Sequence, residues 1–459
     1  MTCSNFSHLI IGLKSIFNFC KKNAKIEFKL ANQVILHYYL IMLIQFSARN
    51  FKSFKDSFSL DLFSNKSSSV SSLYSECGST LYPSAIFYGA NGSGKSNVLK
   101  AFEMMQRLVL NKDKIIQSTD MMPINQFRLS TESEDDTSAF DICFTFKGKK
   151  YKYGFEYGIE NERSIVYSEY LYVYETVQPT IVFEYDLDEN EGKIRITKYK
   201  ELEKIRHLEN SLFLWEADRF SNEVAADVLQ WFKSAHYVEY SSRMSISPRY
   251  WELLERPETQ KAFQIFMHDA DFGINDIFQD SQTVKNPHVH IPNLPDNATV
   301  EELSVKTLHS KYNELNNQIG EIKFNLFEDE SFGTQKYFYV IGPIIDTLKK
   351  GTVLFLDELD ASLHPILTRR IVELFNNKES NPKGAQLIFT SQDTNLLDQK
   401  LFDKEQIWFI EKDKFGCSHF TSLAEYKDIR KQEKIEQKYI MGKYGAIPYL
   451  GDFKFWDEC

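Results

Sequence analysis

Apolar residues change their spacing several times along the chain, and each change predicts a different element. A short apolar run at 85–88 lies between Pro83 and Gly89, which predicts a buried strand. Beyond the glycine-rich loop that follows, four apolar residues recur at helical spacing: Val98, Phe102, Met105 and Val109. The pattern therefore predicts a strand, a glycine loop and a helix in succession.

From residue 139 to 200 the spacing becomes two, the period of a strand with one buried face. Two alternating runs flank a turn at 147–150: Phe140, Ile142, Phe144 and Phe146 before it, and Tyr151, Tyr153, Phe155 and Tyr157 after it. Further strands are predicted at 165–174, 181–185 and 193–199. Together these runs predict an antiparallel β-layer.

Helical spacing returns at 201–280, with Val224, Val228 and Phe232 on one face. Residues 281–320 are polar and hold three prolines, which predicts an irregular segment. We find no sustained heptads and expect no long coiled-coil arm. A second α/β stretch is predicted at about 321–411, and it ends in a strand at 406–411.

These changes divide the chain into four segments. Residues 1–41 lack clear periodicity and are predicted to be a non-core N-terminal extension, with the working chain beginning at Met42. An N-terminal lobe is predicted at 42–200, a mainly helical insertion at 201–320, and a C-terminal lobe at 321–459. The predicted fold class is α/β, with a mixed central sheet, an antiparallel β-layer and a helical insertion.

Composition narrows the class of protein. The 37 Phe and 24 Tyr favour a fold rich in β-structure. A net charge of −10 means that nucleic-acid binding would need a local basic groove, so DNA stays an unproven partner. Six scattered cysteines suit a reducing compartment, and no apolar run approaches the roughly 20 residues that cross a bilayer. We therefore expect a cytoplasmic protein without membrane contact.

The glycine loop carries the first chemical motif. Its sequence, Gly89-Ala90-Asn91-Gly92-Ser93-Gly94-Lys95-Ser96, fits the phosphate-loop pattern G-x-x-x-x-G-K-[ST] without a mismatch. Backbone N–H groups of such a loop surround a phosphate, Lys95 reaches the β- and γ-phosphates of ATP, and the Ser96 hydroxyl is a Mg²⁺ ligand. The predicted nucleotide contacts are Gly89, Asn91, Gly92, Ser93, Gly94, Lys95, Ser96 and Asn97.

Two carboxylates follow an apolar strand predicted at 353–356. Asp357 and Glu358 stand at the carboxyl end of that strand, where open α/β sheets bind their ligands. Asp357 is predicted to hold Mg²⁺ through water, and Glu358 to align or deprotonate the attacking water. A pair of this kind often merely caps a helix, but the phosphate loop favours the catalytic interpretation.

A third motif, Glu330-Ser331-Phe332-Gly333-Thr334-Gln335-Lys336, precedes a predicted helix. Ser331 is a natural N-cap, and Gly333 permits close approach of a phosphate to the helix N-terminus. The motif resembles the S-x-G-x-x signature of ABC-type ATPases. In that class the signature contacts the γ-phosphate bound by a second subunit.

The resemblance extends to a bacterial family. The phosphate loop is similar to that of SMC, RecF and OLD-type ATPases, and 330–336, 357–365 and 386–398 resemble RloA/AbiLi-type AAA-family ATP-binding proteins. This resemblance covers about 42–450. It implies an ABC-ATPase-like P-loop NTPase that forms a homodimer or higher homo-oligomer through an ATP sandwich. It also implies a role in phage defence beside an effector nuclease or toxin.

One position departs from the resembling group. The group's usual switch histidine falls on Gln392, and glutamine can donate a hydrogen bond but cannot carry the charge of an imidazolium. We predict slow hydrolysis and a long-lived ATP-bound state, the alternative being that Gln392 is an adequate substitute. Two functions stay open, an ATP-driven sensor or scaffold for a separate effector and an SMC/RecF-like ATPase that acts on DNA directly. A transporter ATPase fits poorly.

Overall fold

The computed structural model describes residues 39–64, 68, 70–134, 136–187, 193–239, 248–270, 272–284, 300–427, 429 and 433–448. These residues fall into two units. The phosphate-loop unit lies within His37–Glu239, Lys350–Asp360 and Arg369–Cys459, and the described part of the signature unit lies within Tyr240–Lys349 and Ala361–Thr368. The predicted N-terminal extension lies outside the described residues except for 39–41.

A six-stranded, mostly parallel sheet carries the phosphate loop. Strands are numbered in chain order, and the spatial order of this sheet is β10 (His236–Val238), β14 (Val353–Leu356), β15 (Gln386–Thr390), β5 (Ser84–Gly89), β16 (Ile407–Lys412) and β17 (Ser418–Ser422). Only β17 runs antiparallel to its neighbour within this sheet. Strands β14 and β15 are buried along their whole length. An unbroken apolar run encodes β14, and β15 has three apolar residues between Gln386 and Thr390. The central strand predicted at 353–356 is confirmed.

A second six-stranded sheet is antiparallel throughout and confirms the predicted β-layer. Its spatial order is β2 (Phe58–Asp61), β1 (Met42–Arg49), β6 (Ser138–Phe146), β7 (Lys149–Glu160), β8 (Arg163–Tyr174) and β9 (Thr180–Asp186). The strand predicted at 193–199 is wrong. Arg195 makes a single bridge to Glu184, because the chain soon turns into a 3₁₀ helix at Lys200–Lys204. A separate hairpin consists of β3 (Tyr74–Glu76) and β4 (Ser79–Leu81).

Helices and aromatic side chains join the two sheets into one core. The helices are α1 (Lys95–Val109), the single turn α2 (Thr131–Glu134), α3 (Phe213–Arg219) and α4 (Glu223–Ser234). Phe102 of α1 stacks on Phe355 of β14 with ring centroids 3.7 Å apart, and it meets Phe46 of β1 edge-on. Trp231 of α4 stacks on Phe144 of β6. The observed division therefore differs from the predicted boundary at residue 201, because 201–239 belong to the phosphate-loop unit.

The signature unit combines helices with a small antiparallel sheet. Its elements are α5 (Pro248–Glu255), α6 (Pro257–Asp269), β11 (Ile274–Val284), β12 (Val300–Tyr312), β13 (Gln318–Asn325) and α7 (Phe332–Lys350), and β12 lies between β11 and β13. The irregular segment predicted at 281–320 is therefore wrong for its described parts, and the predicted insertion is not mainly helical beyond 273. Val305 and Thr307 are buried, while Lys306 and Leu308 are partly exposed. The segment is therefore a strand with one buried face, although its sequence is largely polar.

Two further helices complete the described chain, α8 (Pro365–Asn376) and α9 (Ile435–Ile440). Tyr444 and Ala446 are buried, which confirms that the C-terminal region packs rather than trails, as far as it is described. None of the helices in the described residues has the combination of length and apolar content that a bilayer span needs.

A buried carboxyl group predicts how stability depends on pH. Glu169 of β8 is fully buried and accepts hydrogen bonds from the Phe213 and Leu214 N–H groups and from the Tyr153 hydroxyl. Burial raises its pKa from 4.5 to about 7, against the opposite effect of those hydrogen bonds. The folded state holds the proton more tightly than the unfolded state does. We therefore expect the free energy of unfolding to fall by on the order of 3 kcal/mol as the pH rises from about 4.5 to about 7.

Denaturant unfolding at several pH values measures this slope. Glu169→Gln, which cannot ionise, is expected to flatten it, whereas Glu160→Gln at an exposed position on β7 should leave it in place. An unchanged slope in Glu169→Gln would contradict the assignment.

Candidate nucleotide site

The phosphate loop connects β5 to α1, and its geometry requires glycine at two positions. A Cβ on Gly89 would collide with the Ile410 carbonyl. Gly94 has a φ of 111°, a conformation that other residues rarely adopt. A Cβ there would lie 2.5 Å from Ser418 Oγ and 2.7 Å from Ser53 Oγ. The loop backbone therefore packs against β16 at Gly89 and against Ser53 and Ser418 at Gly94.

Side chains from distant segments support the loop from behind. Ser418 Oγ lies 2.6 Å from the Ser93 carbonyl and 2.7 Å from Ser53 Oγ. Asn97 donates a hydrogen bond of 2.8 Å to the same Ser53 oxygen. Asn97, predicted as a nucleotide contact, thus also fixes the first turn of α1. Ser53 and Ser418 were not predicted from the sequence, because nothing local connects them to a loop more than 30 residues away.

Lys95 is held inside the loop. Its Nζ donates to the Gly89 carbonyl at 2.7 Å and to the Ala90 carbonyl at 3.1 Å. Burial lowers the pKa of Lys95, and the carboxylates of Asp357, Glu358 and Asp360 act in the opposite direction. The ammonium group therefore shares one electrostatic environment with Asp357, the predicted metal ligand, and Glu358, the predicted catalytic base.

A threonine on the neighbouring strand contacts the Asp357 carboxylate and the Glu358 backbone. Thr390, at the end of β15, donates a hydrogen bond of 2.6 Å to Asp357 Oδ1 and accepts one of 2.7 Å from the Glu358 N–H. Asp357 is buried, and Glu358 has a φ of 50°, in the left-handed region. This conformation turns the chain sharply at the sheet edge. Thr390 was not predicted from the sequence, because only strand pairing reveals which residue stands beside Asp357.

Gln392 lies two residues beyond the end of β15, and its side chain is exposed. Its backbone N–H donates a hydrogen bond of 3.0 Å to Asp360 Oδ2. Asp360 thereby ties the segment after β15 to the segment after β14. Asp360 was not among the predicted site residues, although it stands only two positions beyond Glu358.

Ser331 and Gly333 belong to the signature unit, where they begin α7. Ser331 Oγ accepts a hydrogen bond of 3.2 Å from the Thr334 N–H, which confirms Ser331 as an N-cap. A Cβ on Gly333 would stand 3.0 Å from the Ser362 carbonyl, so the backbone is tightly packed there. The Ser331 and Phe332 side chains are exposed at this helix end.

A cleft of about 740 Å³ opens beside the phosphate loop and shares Ser53 and Asn97 with the support described above. Lys52, Arg128 and Lys412 give it three basic side chains, and Phe127 and Leu129 give it apolar surface. No contacts to the nucleoside were predicted from the sequence, and these residues lie in two separate loops and at the end of β16.

The loop residues fit a nucleotide with Mg²⁺. Among the described residues no side chain caps the N-terminus of α1, and its first turn holds no acidic residue. Ser93 Oγ is buried and has no hydrogen-bond partner among the described residues, while Asn91 and Gly92 are exposed. Ser96 in that first turn offers a hydroxyl and Asp357 a carboxylate, the hard oxygen ligands that Mg²⁺ prefers.

Comparisons with solved structures find low similarity. The SMC head domain from Thermotoga maritima is 15% identical with a TM-score of 0.38, covering 83% of this chain and 98% of that chain. An SmcHead bound to the C-winged helix domain of ScpA is 14% identical with a TM-score of 0.38, covering 83% of this chain and 97% of that chain. Nothing about function follows from likeness at this level.

No curated protein matches the chain. A family model described as "AAA domain, putative AbiEii toxin, Type IV TA system" matches residues 84–398, which include the phosphate loop, Asp357, Glu358 and the signature motif. The chain therefore belongs to this AAA-domain family, and it is a P-loop ATPase with an α/β fold.

Proposed function

We propose that the protein is an ATP-dependent sensor or scaffold of the RloA/AbiLi type that controls a separate effector nuclease or toxin in abortive infection. The observation that carries the ATPase part of this proposal is the grouping of Lys95, Asp357 and Glu358 at the phosphate loop. Thr390 holds the carboxylate of Asp357 and the backbone of Glu358. The proposal of a separate effector rests on the resemblance of residues 330–336, 357–365 and 386–398 to RloA/AbiLi-type proteins.

Each site residue has a role that follows from its chemistry. The loop N–H groups and Lys95 bind the β- and γ-phosphates, because they present positive charge to an anion. Ser96 and Asp357 hold Mg²⁺, which supplies charge neutralisation at the phosphates when it is bound. Glu358 accepts the proton of the attacking water. The cleft lined by Lys52, Phe127 and Arg128 receives the nucleoside.

The site is completed by a second copy of the chain. Ser331 and Gly333 stand at the exposed N-terminus of α7, a helix of 19 residues, whose dipole favours an anion in front of it. In the proposed ATP sandwich this helix end contacts the γ-phosphate that the partner copy binds. ATP then joins two copies, and hydrolysis releases them.

Charge pairing in the β-layer favours this function over direct action on DNA. Four lysines lie at 147–152, but Lys147 pairs with Asp227 and Lys149 with Glu175. Lys152 pairs with Asp141 at 3.5 Å. Phosphate groups of DNA would have to displace these carboxylates, so the turn gives little support to the SMC/RecF-like alternative.

Purification of the full chain from its native cell, with and without ATP, tests the proposal. We expect a nuclease or toxin to co-purify with the wild type and its association to depend on nucleotide. A chain that instead purifies alone and binds DNA tightly at physiological salt would favour the SMC/RecF-like function.

Gln392→His is expected to raise the ATP turnover number. An imidazolium at this position can share the charge that develops on the γ-phosphate, which the neutral amide of Gln392 cannot. Single-turnover phosphate release measures the rate, and Asn395→His, at an exposed position in the 3₁₀ helix that follows Gln392, serves as the control. An unchanged or lower rate in Gln392→His would show that glutamine is an adequate substitute.

A further inference from the structure

The segment between β13 and α7 is fastened to β12 of the small sheet. The Leu326 N–H donates a hydrogen bond of 3.0 Å to the Val305 carbonyl, and both side chains are fully buried. The Asn325 N–H donates to Asp329 Oδ2, and the Asp329 N–H returns a bond of 2.9 Å to the Asn325 carbonyl. The chain is therefore held close to the sheet up to the residue before the signature serine.

Glu330 makes the last of these attachments. Its Oε1 accepts a hydrogen bond from the Thr307 hydroxyl and lies 2.6 Å from Nε2 of His309, both on β12. The Glu330 and His309 side chains are only 9% and 17% exposed. The Phe324 ring covers the imidazole, with ring centroids 4.8 Å apart. We call Thr307, His309 and Glu330 the Glu330 brace.

The brace is directly linked to the signature serine. Glu330 precedes Ser331 in the chain, and its carbonyl accepts a hydrogen bond of 2.9 Å from Gln335 Nε2. The Ser331 carbonyl accepts one of 3.0 Å from the Gln335 N–H, and Ser331 Oγ caps Thr334. Side-chain and backbone bonds of Glu330 thus fix the entry to α7, and with it the direction of the Ser331 hydroxyl.

A mostly buried carboxylate keeps such partners, because an unpaired buried charge is strongly unfavourable. Both partners come from β12, the central strand of its sheet, which is bonded along β11 and β13. The brace therefore rests on a rigid element rather than on a loop.

We propose that Thr307, His309 and Glu330 are positioning residues that hold Ser331 in the orientation needed to contact ATP bound by a second copy. The proposal rests on the ATP sandwich described above. The small sheet then helps to form the nucleotide site that two copies of the chain share. Neither Thr307 nor His309 touches the nucleotide; they act through Glu330 and Ser331.

Steady-state kinetics and nucleotide binding on the full chain test the proposal. His309→Ala and Glu330→Gln are expected to lower kcat by roughly 10- to 100-fold, since a displacement of about 1 Å at a reacting centre costs that much. The affinity for a fluorescent ATP analogue, set by the phosphate loop, should stay at the wild-type value. His268→Ala removes a comparable His–acid contact, with Asp269, that is exposed on α6, and it should retain full activity.

A double-mutant cycle separates positioning from a general structural role. If the brace acts through Ser331, His309→Ala adds no further loss to the Ser331→Ala variant. Additive losses, or full activity in His309→Ala and Glu330→Gln, would overturn the proposal. Thr307→Ser keeps the hydroxyl and should retain activity, whereas Thr307→Val should lose it. This second pair of variants tests the proposal even if His309→Ala or Glu330→Gln fails to fold.

The controls also distinguish this inference from the proposed function. If Ser331→Ala hydrolyses ATP at the wild-type rate, the ATP sandwich fails and the brace proposal fails with it. If Ser331→Ala is impaired while both His309→Ala and Glu330→Gln are not, only the brace proposal fails.

Discussion

Replacing Lys95 with alanine is expected to weaken ATP binding by at least about 100-fold, or roughly 2.7 kcal/mol. Lys95 is 8% exposed, and its ammonium group is bonded to the Gly89 and Ala90 carbonyls at the centre of the loop. In the proposed function it is the positive side chain that binds the β- and γ-phosphates. Charge-assisted hydrogen bonds of this kind are about twice as strong as neutral ones.

Isothermal titration with ATP and Mg²⁺ measures the loss. Arg107→Ala is a suitable control, because Arg107 lies on the same helix but faces solvent and pairs with Asp113. It should bind ATP as the wild type does. Thermal unfolding should show Lys95→Ala to be no less stable than the wild type, because burial lowers the pKa of Lys95 and the folded state gains little from its charge. Retained ATP affinity would overturn the assignment of the site.

The elements that position the site were predictable where their pattern is local. The apolar run before the loop, the helical spacing after it and the run at 353–356 each gave the observed element. The alternating aromatics likewise gave β6 and β7. In each case burial of one face or of the whole strand determines the spacing, so the sequence contains the information directly.

The rest of the site could not be predicted, because it arises from tertiary pairing. Thr390 stands beside Asp357 only because β14 and β15 are parallel neighbours in register. Ser53 and Ser418 meet behind Gly94 across 365 residues of sequence. Neither position has a local pattern of its own. Distant residues of this kind orient the groups that carry the chemistry.

The small sheet of the signature unit could not be predicted from the sequence for a different reason. Strand β13 is exposed from Gln318 to Lys323, so little of its sequence is constrained by burial. Among the β12 side chains that the structure describes, Val305 and Thr307 are buried, and one of them is a threonine. Polar composition therefore predicted an irregular segment where the structure has strands. The same polar residues, Thr307 and His309, supply the bonds to Glu330.

Glu358→Gln is expected to lower ATP turnover by about 10²- to 10⁴-fold, the usual contribution of a general base. The amide has nearly the shape of the carboxylate, and the Glu358 N–H still bonds to Thr390, so the turn at φ 50° is preserved. The amide cannot accept the proton of the attacking water. ATP binding through Lys95 and Asp357 should continue, and the joined state of two copies should therefore persist.

Two measurements on Glu358→Gln test the catalytic role of Glu358 and the ATP sandwich. Phosphate release should be nearly abolished, while size-exclusion chromatography with ATP and Mg²⁺ should show a dimer that persists for longer than the wild-type dimer does. Glu373→Gln, a half-exposed position on α8 that pairs with Arg370, should behave as the wild type does. Turnover at the wild-type rate would remove Glu358 from the catalytic role. A variant that binds ATP without hydrolysis and stays monomeric would instead exclude the sandwich, because nothing else in the proposed cycle separates the two copies once ATP is bound.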